Sequence, residues 1–319
     1  MFSGTSELRS LRGTVDVCLR LSACLRGKHV HTVSDQQLTY YFDSLRRFKS
    51  RAYVFQNIAL CKLKGKDQPS ILTDKWPNFS CTAIFQHWTS TLCFPTRNQR
   101  TYRLLLLSDS EEDFACFMHD SKLLQEGAMI TAIDSVTNGY LDRVAKTMFP
   151  QWQETTTYSY KMYHLAGDVD DIPSRINPNE YFIDKLSLDH TDFIAEHSSM
   201  IKEFHPVTKQ QVSKYFKNIL LTYKLSAAVF LRSNPMYPVS WGTYSDCGLA
   251  TNLSTLPDHR QKGLALALSA NLFAQMQRQG IVPVVERHKD SPVVKRFSKV
   301  EECVLESTWR DSITGECYW

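Results

Sequence analysis

The chain has 319 residues, 43% hydrophobic and 22% charged, enough to bury one large core or two ordinary ones. Its 37 Lys and Arg against 33 Asp and Glu leave a net charge of +4; no long basic run interleaved with aromatics appears, which argues against a nucleic-acid partner. The longest apolar stretches fall far short of a bilayer span, so no membrane insertion is expected.

The first 33 residues carry Arg9, Arg12, Arg20, Arg26 and Lys28 against Glu7 and Asp16, so 5 − 2 = +3 of the total +4 sits there. A basic, Ser-containing, acid-poor start reads as a mitochondrial transit peptide, with Leu8, Leu11, Val15, Leu19 and Leu25 compatible with one helical face. The alternative is an unstructured start and a cytoplasmic protein. Nine cysteines stand singly, without a CxxC pair, which argues against a disulfide framework or a zinc site and for a reducing compartment.

Leu38, Tyr41, Phe42 and Leu45 recur at three- and four-residue spacing and predict a helix over 35–48, capped by Asp35. Apolar or alternating runs predict strands over 52–58, 71–73, 82–85 and 102–108. Acids in its first turn mark 111–125 as a helix. A helix over 141–149 stops at Pro150, and 158–165 reads as a strand. Acidic, Gly and Pro punctuation from Gly167 to Pro178 is linker chemistry. It places a domain break near residue 170, giving a basic extension (1–33), a first domain (34–169) and a second (170–319).

Helices over 189–204 and 208–221 come next. Two apolar runs, 227–231 and 239–244, around Asn234-Pro235 read as a hairpin. A strand over 249–256 ends at Pro257; a helix runs to about Gln279, where Gly280 stops it, and 282–285 fits a buried strand. Strands alternate with helices, so the class is mixed α/β.

Chemistry concentrates where the strand over 249–256 feeds the helix. Between them lie Arg260-Gln261-Lys262-Gly263-Leu264-Ala265, a match to the pattern R/Q-x-x-G-x-G/A. The first N–H groups of a helix lack intrahelical partners, and the macrodipole adds partial positive charge, so such a start binds phosphate. Gly263 lets the backbone approach an anion without a Cβ in the way, and Arg260 and Lys262 add charge. No Walker A sequence is present.

Residues 238–285 resemble the C-terminal domain of the glycine N-acyltransferases, a branch of the GNAT superfamily. The segment Asp74-Lys75-Trp76-Pro77-Asn78-Phe79 resembles a signature of that family's N-terminal domain, and the stretch 176–197 its inter-domain region. The resemblance implies an α/β (α+β) fold of two GNAT-like domains, with mixed central sheets flanked by helices. It implies acyl transfer from acyl-CoA, as co-substrate and without a metal, to the amine of glycine or another small amino acid, by a monomer whose partners are these small molecules. It also implies a cofactor set of Asn252, Ser254 and Leu256 on the strand with Arg260, Gln261, Lys262, Gly263, Leu264 and Ala265 in the loop and helix start.

One departure from the family bears on catalysis. Its proposed general base, a glutamate after a Gly, falls at Leu249, after Gly248. Strand alternation sets Leu249, Thr251, Leu253 and Thr255 on one face. Asp246, Glu286 and His288 are the substitute candidates, Asp246 in a turn, Glu286 at a strand end and His288 in a loop. Each is read first as solvated or structural. A catalytically impaired CoA-binding or regulatory module is the alternative function. Pro292 stands where acetyltransferase folds often carry Asn, and no tyrosine follows until Tyr318.

Overall fold

A computed structural model describes residues 30–65, 69–87, 102–124, 128–148, 153–165, 176–198, 208–246, 248–288 and 301–314, with 153–165, 286–288 and 301–314 described by their backbone. The basic start up to residue 29, the linker from 166 to 175 and Pro292 lie outside these residues.

The strands are β1 His31–Thr32, β2 Ser70–Thr73, β3 Cys81–His87, β4 Tyr102–Ser108, β5 Ala128–Asp134, β6 Gln153–Leu165, β7 Tyr181–Asp184, β8 Ser226–Leu231, β9 Asn234–Tyr244, β10 Ala250–Thr255, β11 Val284–His288 and β12 Glu301–Thr314. The helices are α1 Leu38–Ser44, α2 Tyr53–Leu63, α3 Glu111–Ser121, α4 Ser135–Met148, α5 Thr191–His197, α6 Lys209–Tyr223 and α7 Leu264–Arg278. The strands form one sheet ordered β1-β2-β3-β4-β5-β12-β6-β11-β10-β9-β8-β7. Two neighbouring pairs, β4 with β5 and β10 with β11, are parallel. Each belongs to one mixed, helix-flanked half, so the α/β class and its tandem arrangement hold.

The halves are joined through the sheet. β12, last in the chain, lies between β5 and β6, and β6 pairs antiparallel with β11 along Val284↔His164 to His288↔Tyr160. Hydrogen bonds therefore cross the sequence position of the linker in both directions.

Residues 52–58 are expected as a strand, but Ala52 ends a 3-10 stretch and 53–58 fold within α2. Val54, Phe55, Gln56, Asn57, Ile58, Ala59 and Cys61 are all buried. A helix buried on nearly every side shows no amphipathic period, so its β-branched and aromatic residues mimic a strand. α2 is buried because both halves pack on it: Val54, Phe55 and Ile58 share a core with Leu249 and Val284, and Cys61 joins the core beneath α7. The helix expected over 35–48 divides into a short 3-10 turn, α1 and a second 3-10 stretch, whose Lys49 has φ 54°. Ser34, not Asp35, is the residue outside its first turn. Cys116 is half of a disulfide, which the scattered cysteines did not announce.

The Asp74 to Phe79 segment forms the bend between β2 and β3. Asp74, 4% exposed, accepts from the Ser80 and Cys81 amides, each at 2.9 Å, and Phe79 stacks on Tyr41 and Phe48. Its role here is to hold that bend.

Candidate functional site

β9 and β10 pair antiparallel, with Ala250 opposite Tyr244 and Thr251 opposite Thr243. The register then slips, because Ser254 faces Trp241 and three steps along β10 match two along β9. This is a β-bulge, and Asn252 at its centre has φ 56°. Its side chain donates to Thr243 Oγ1 at 2.9 Å, a local bond of the kind that lets Asn occupy left-handed backbone. Bulges bend a strand and leave a residue out of the ladder. On the other side of β10, the parallel partner β11 shares the register pair Ala250↔Val285, beyond which the two strands diverge.

The bulge corrects the expected face pattern. Ala250 and Leu253 both join the core under α7, whereas Leu249 packs into the core around α2. Leu249 and Leu253 therefore lie on opposite faces, because one extra residue reverses the alternation. The same slip changes which backbone groups face the divergence. The Ser254 carbonyl accepts from Ser240 Oγ at 2.8 Å, and the Leu256 amide donates to the Val239 carbonyl at 2.9 Å. The Ser254 carbonyl and the Leu256 amide thus turn toward β9, so the groups that alternate toward β11 are those of Leu253 and Thr255.

A 3-10 turn over Pro257–His259 follows, then Arg260 to Gly263, then α7. Gln261 has φ 64° and Gly263 φ 79°, so left-handed residues flank Lys262 and the loop curls ahead of the helix in the manner of an anion-binding nest. Gly263 is the N-cap residue; no side chain caps the helix and its first turn carries no acid. Among the described residues, no acceptor takes the backbone N–H groups of Lys262, Gly263, Leu264 or Ala265.

The loop is braced from beneath. Lys262 Nζ donates to the Tyr181 hydroxyl at 3.1 Å and lies 3.9 Å from Glu180, while that hydroxyl pairs with His259 Nδ1 at 3.1 Å. The hydrogen bond to Tyr181 raises the lysine pKa, so it stays charged. Arg260 Nε donates to the Thr255 carbonyl at 3.2 Å. The loop residues predicted to form the cradle are thus assembled, exposed and positive.

The acid–base candidates fare differently. Leu249 is 2% exposed within apolar surroundings and cannot exchange protons. Asp246, expected in a solvated turn, is buried and paired with Arg103 of β4, which donates to its carboxylate at 3.0 Å and its carbonyl at 3.1 Å. This pairing ties the Asp246 side chain and carbonyl to β4. Glu286 lies within β11 rather than at its end, and His288 is its last residue rather than a loop residue, because β6 extends the pairing.

Two residues invisible to sequence reasoning enter here: Arg103 and, from α2, Asn57. The Asn57 amide donates to the Gly248 carbonyl at 2.8 Å and the Val282 carbonyl at 2.9 Å, and its oxygen accepts from the Val282 amide at 2.9 Å.

No family model matches the sequence. Solved structures match the fold. A Drosophila protein, a structural genomics target, superposes with a TM-score of 0.66 at 13% identity, over 91% of this chain and 100% of that one. A tandem GNAT protein from the clavulanic acid biosynthesis pathway, solved without AcCoA, gives a TM-score of 0.52 at 11% identity, over 91% of this chain and 100% of that one. At such identities the likeness is one of fold. The fold is the tandem GNAT type.

Proposed function

We propose that this chain is an acyl-CoA-dependent N-acyltransferase, with the amine of glycine or another small amino acid as acceptor. The observation that carries the proposal is the bulged β10 running into a positive loop and a helix start whose amides have no acceptor among the described residues. Such a start binds a pyrophosphate, and a strand diverging from its parallel neighbour leaves backbone groups for an extended amide-bearing arm. The glycine N-acyltransferase resemblance over 238–285 supports the acceptor class.

In this reading Lys262, Gly263, Leu264 and Ala265 hold the pyrophosphate through backbone N–H groups, with Arg260 and Lys262 adding charge. Leu253 and Thr255 bind the pantetheine arm and set the thioester at the bulge. The free amine attacks the thioester carbonyl: a C–N bond forms, the C–S bond breaks, CoA leaves as the thiolate, and the ammonium proton of the adduct passes to a base. Backbone N–H groups at the bulge stabilise the oxyanion. Glu286 and His288, on the strand bordering the divergence, are the candidate bases. Positioned bases contribute about 10²–10⁴-fold, so holding thioester and amine together accounts for the remaining acceleration.

A second reading, a CoA-binding module without turnover, is favoured by the burial of Leu249 and the ion pairing of Asp246. Release of free thiol from benzoyl-CoA or short acyl-CoAs, across a panel of amino acids at pH 7 to 9.5, separates the two. Amine-stimulated release is expected; CoA binding without it supports the module. Gly263→Glu places a side chain at φ 79° and a carboxylate in the cradle, and should weaken CoA binding more than about 100-fold. Unchanged affinity in a folded variant removes the cradle assignment.

A further inference from the structure

We infer that Asn57 is a positioning residue for this cleft: helix α2 of the first half, through one carboxamide, sets the separation at which β10 and β11 begin to diverge. The inference rests on the acyl-CoA reading above for what the cleft holds, but not for what Asn57 does to the strands. Asn57 is 1% exposed. Its three bonds, to Gly248 and to both backbone groups of Val282, join the segments that become β10 and β11. The side chain stands where a rung of a parallel ladder would stand. The next rung, Ala250↔Val285, is the register pair the strands share.

Two further contacts fix the same root. Gly248 has φ 75°, and a Cβ there would lie 2.9 Å from the Val54 carbonyl oxygen of α2 and 3.2 Å from Ile58. Only glycine admits so close an approach. Leu249, next to Gly248, and Val284, two residues beyond Val282, pack into the α2 core. Neither strand can shift at its root without moving α2, and the gap beyond the root inherits its width from that helix. Arg103, gripping Asp246 just upstream, anchors the same loop to β4. The first half is thus part of the second half's cleft.

The test uses the full chain. Asn57→Leu keeps the branched four-atom side chain and removes the three bonds; Gly248→Ala attacks the same contact from the other side and serves where Asn57→Leu fails to fold. Amide hydrogen exchange is followed in 250–255 and 282–288, with 81–87 and 104–107 as internal control. Exchange in the first set should quicken about tenfold or more, the effect of a lost buried hydrogen bond, with the control unchanged. CoA affinity should weaken about tenfold in the same variant, with the KM for the acceptor amine unmoved. Exchange that rises equally in both sets, or in neither, overturns the inference, as does a localised change that leaves CoA affinity intact. A wild-type chain that fails to bind CoA refutes the acyl-CoA reading instead, and the exchange pattern still decides whether Asn57 holds the strands.

Discussion

The two parallel strand pairs are built alike and tied at opposite ends. In the second half, Asn57 joins β10 and β11 where they begin, and the strands diverge beyond it. In the first half, β4 and β5 pair over Tyr102↔Ala128 to Leu104↔Ile130, and it is their far ends that are joined. Arg51 donates to the Ser108 carbonyl at the end of β4 and, at 3.1 Å, to Asp134 at the end of β5. The ladder between β3 and β4 runs without a slip, so there is no bulge. The helices that follow differ too. α3 starts with Glu111, Glu112 and Asp113 behind a Ser110 cap, whereas α7 starts behind Gly263 with neither acid nor cap. One fold thus gives a helix start with a side-chain cap and acids in its first turn, and another with neither. The first pair is tied at its far end by Arg51, and the helix after it begins with three acids.

The largest expected effect tests whether the second half depends on the first. Arg103→Ala leaves the Asp246 carboxylate buried without its cation, a change that costs about 3–5 kcal/mol. Urea unfolding should show one transition with a lowered midpoint and unchanged slope. A loss below about 1 kcal/mol, or a transition that splits, would mean the two halves are stabilised independently. Next comes the tied pair itself. Arg51→Leu removes bonds to a carboxylate that keeps three others, from the Val136 and Thr137 amides and Thr137 Oγ1, and should cost about 2 kcal/mol. Calorimetric titration should still give one CoA per chain, because the acids of α3 remain. A second equivalent of CoA would show that Arg51 alone had closed the first half.

How much of this was legible in the sequence follows from the range of each interaction. β8, β10 and the end of α7 were placed within a residue or two, because turns and period-2 or period-3.6 patterns are local signals, whereas β9 begins five residues earlier than expected and takes in Asn234-Pro235, read as the turn. The bulge was not legible. A one-residue slip leaves composition unchanged, yet it set Leu249 and Leu253 on opposite faces. Asn57 and Arg103 were beyond reach for another reason: their partners lie 191 and 143 residues away. Burial that spans two halves also erased the helical period of α2. Leu249, singled out in the sequence by its side chain, is buried at 2% exposure in the core around α2.

The smallest prediction bears on the helix starts. Ser110 accepts from the Asp113 amide at 3.2 Å, and the three acids of the first turn sit favourably at the positive end of α3. Ser110→Ala should cost about 1 kcal/mol and shift the urea midpoint slightly, with CoA affinity unchanged, since the three acids of that first turn remain. Gly263 shows the reverse economy: the helix it opens forgoes a side-chain cap and loses the stability a cap would bring, and its donors stay available to a ligand. If Ser110→Ala weakened CoA binding, the first half would contribute to the cleft through α3 as well as through α2, and the contrast between the two helix starts would have to be redrawn.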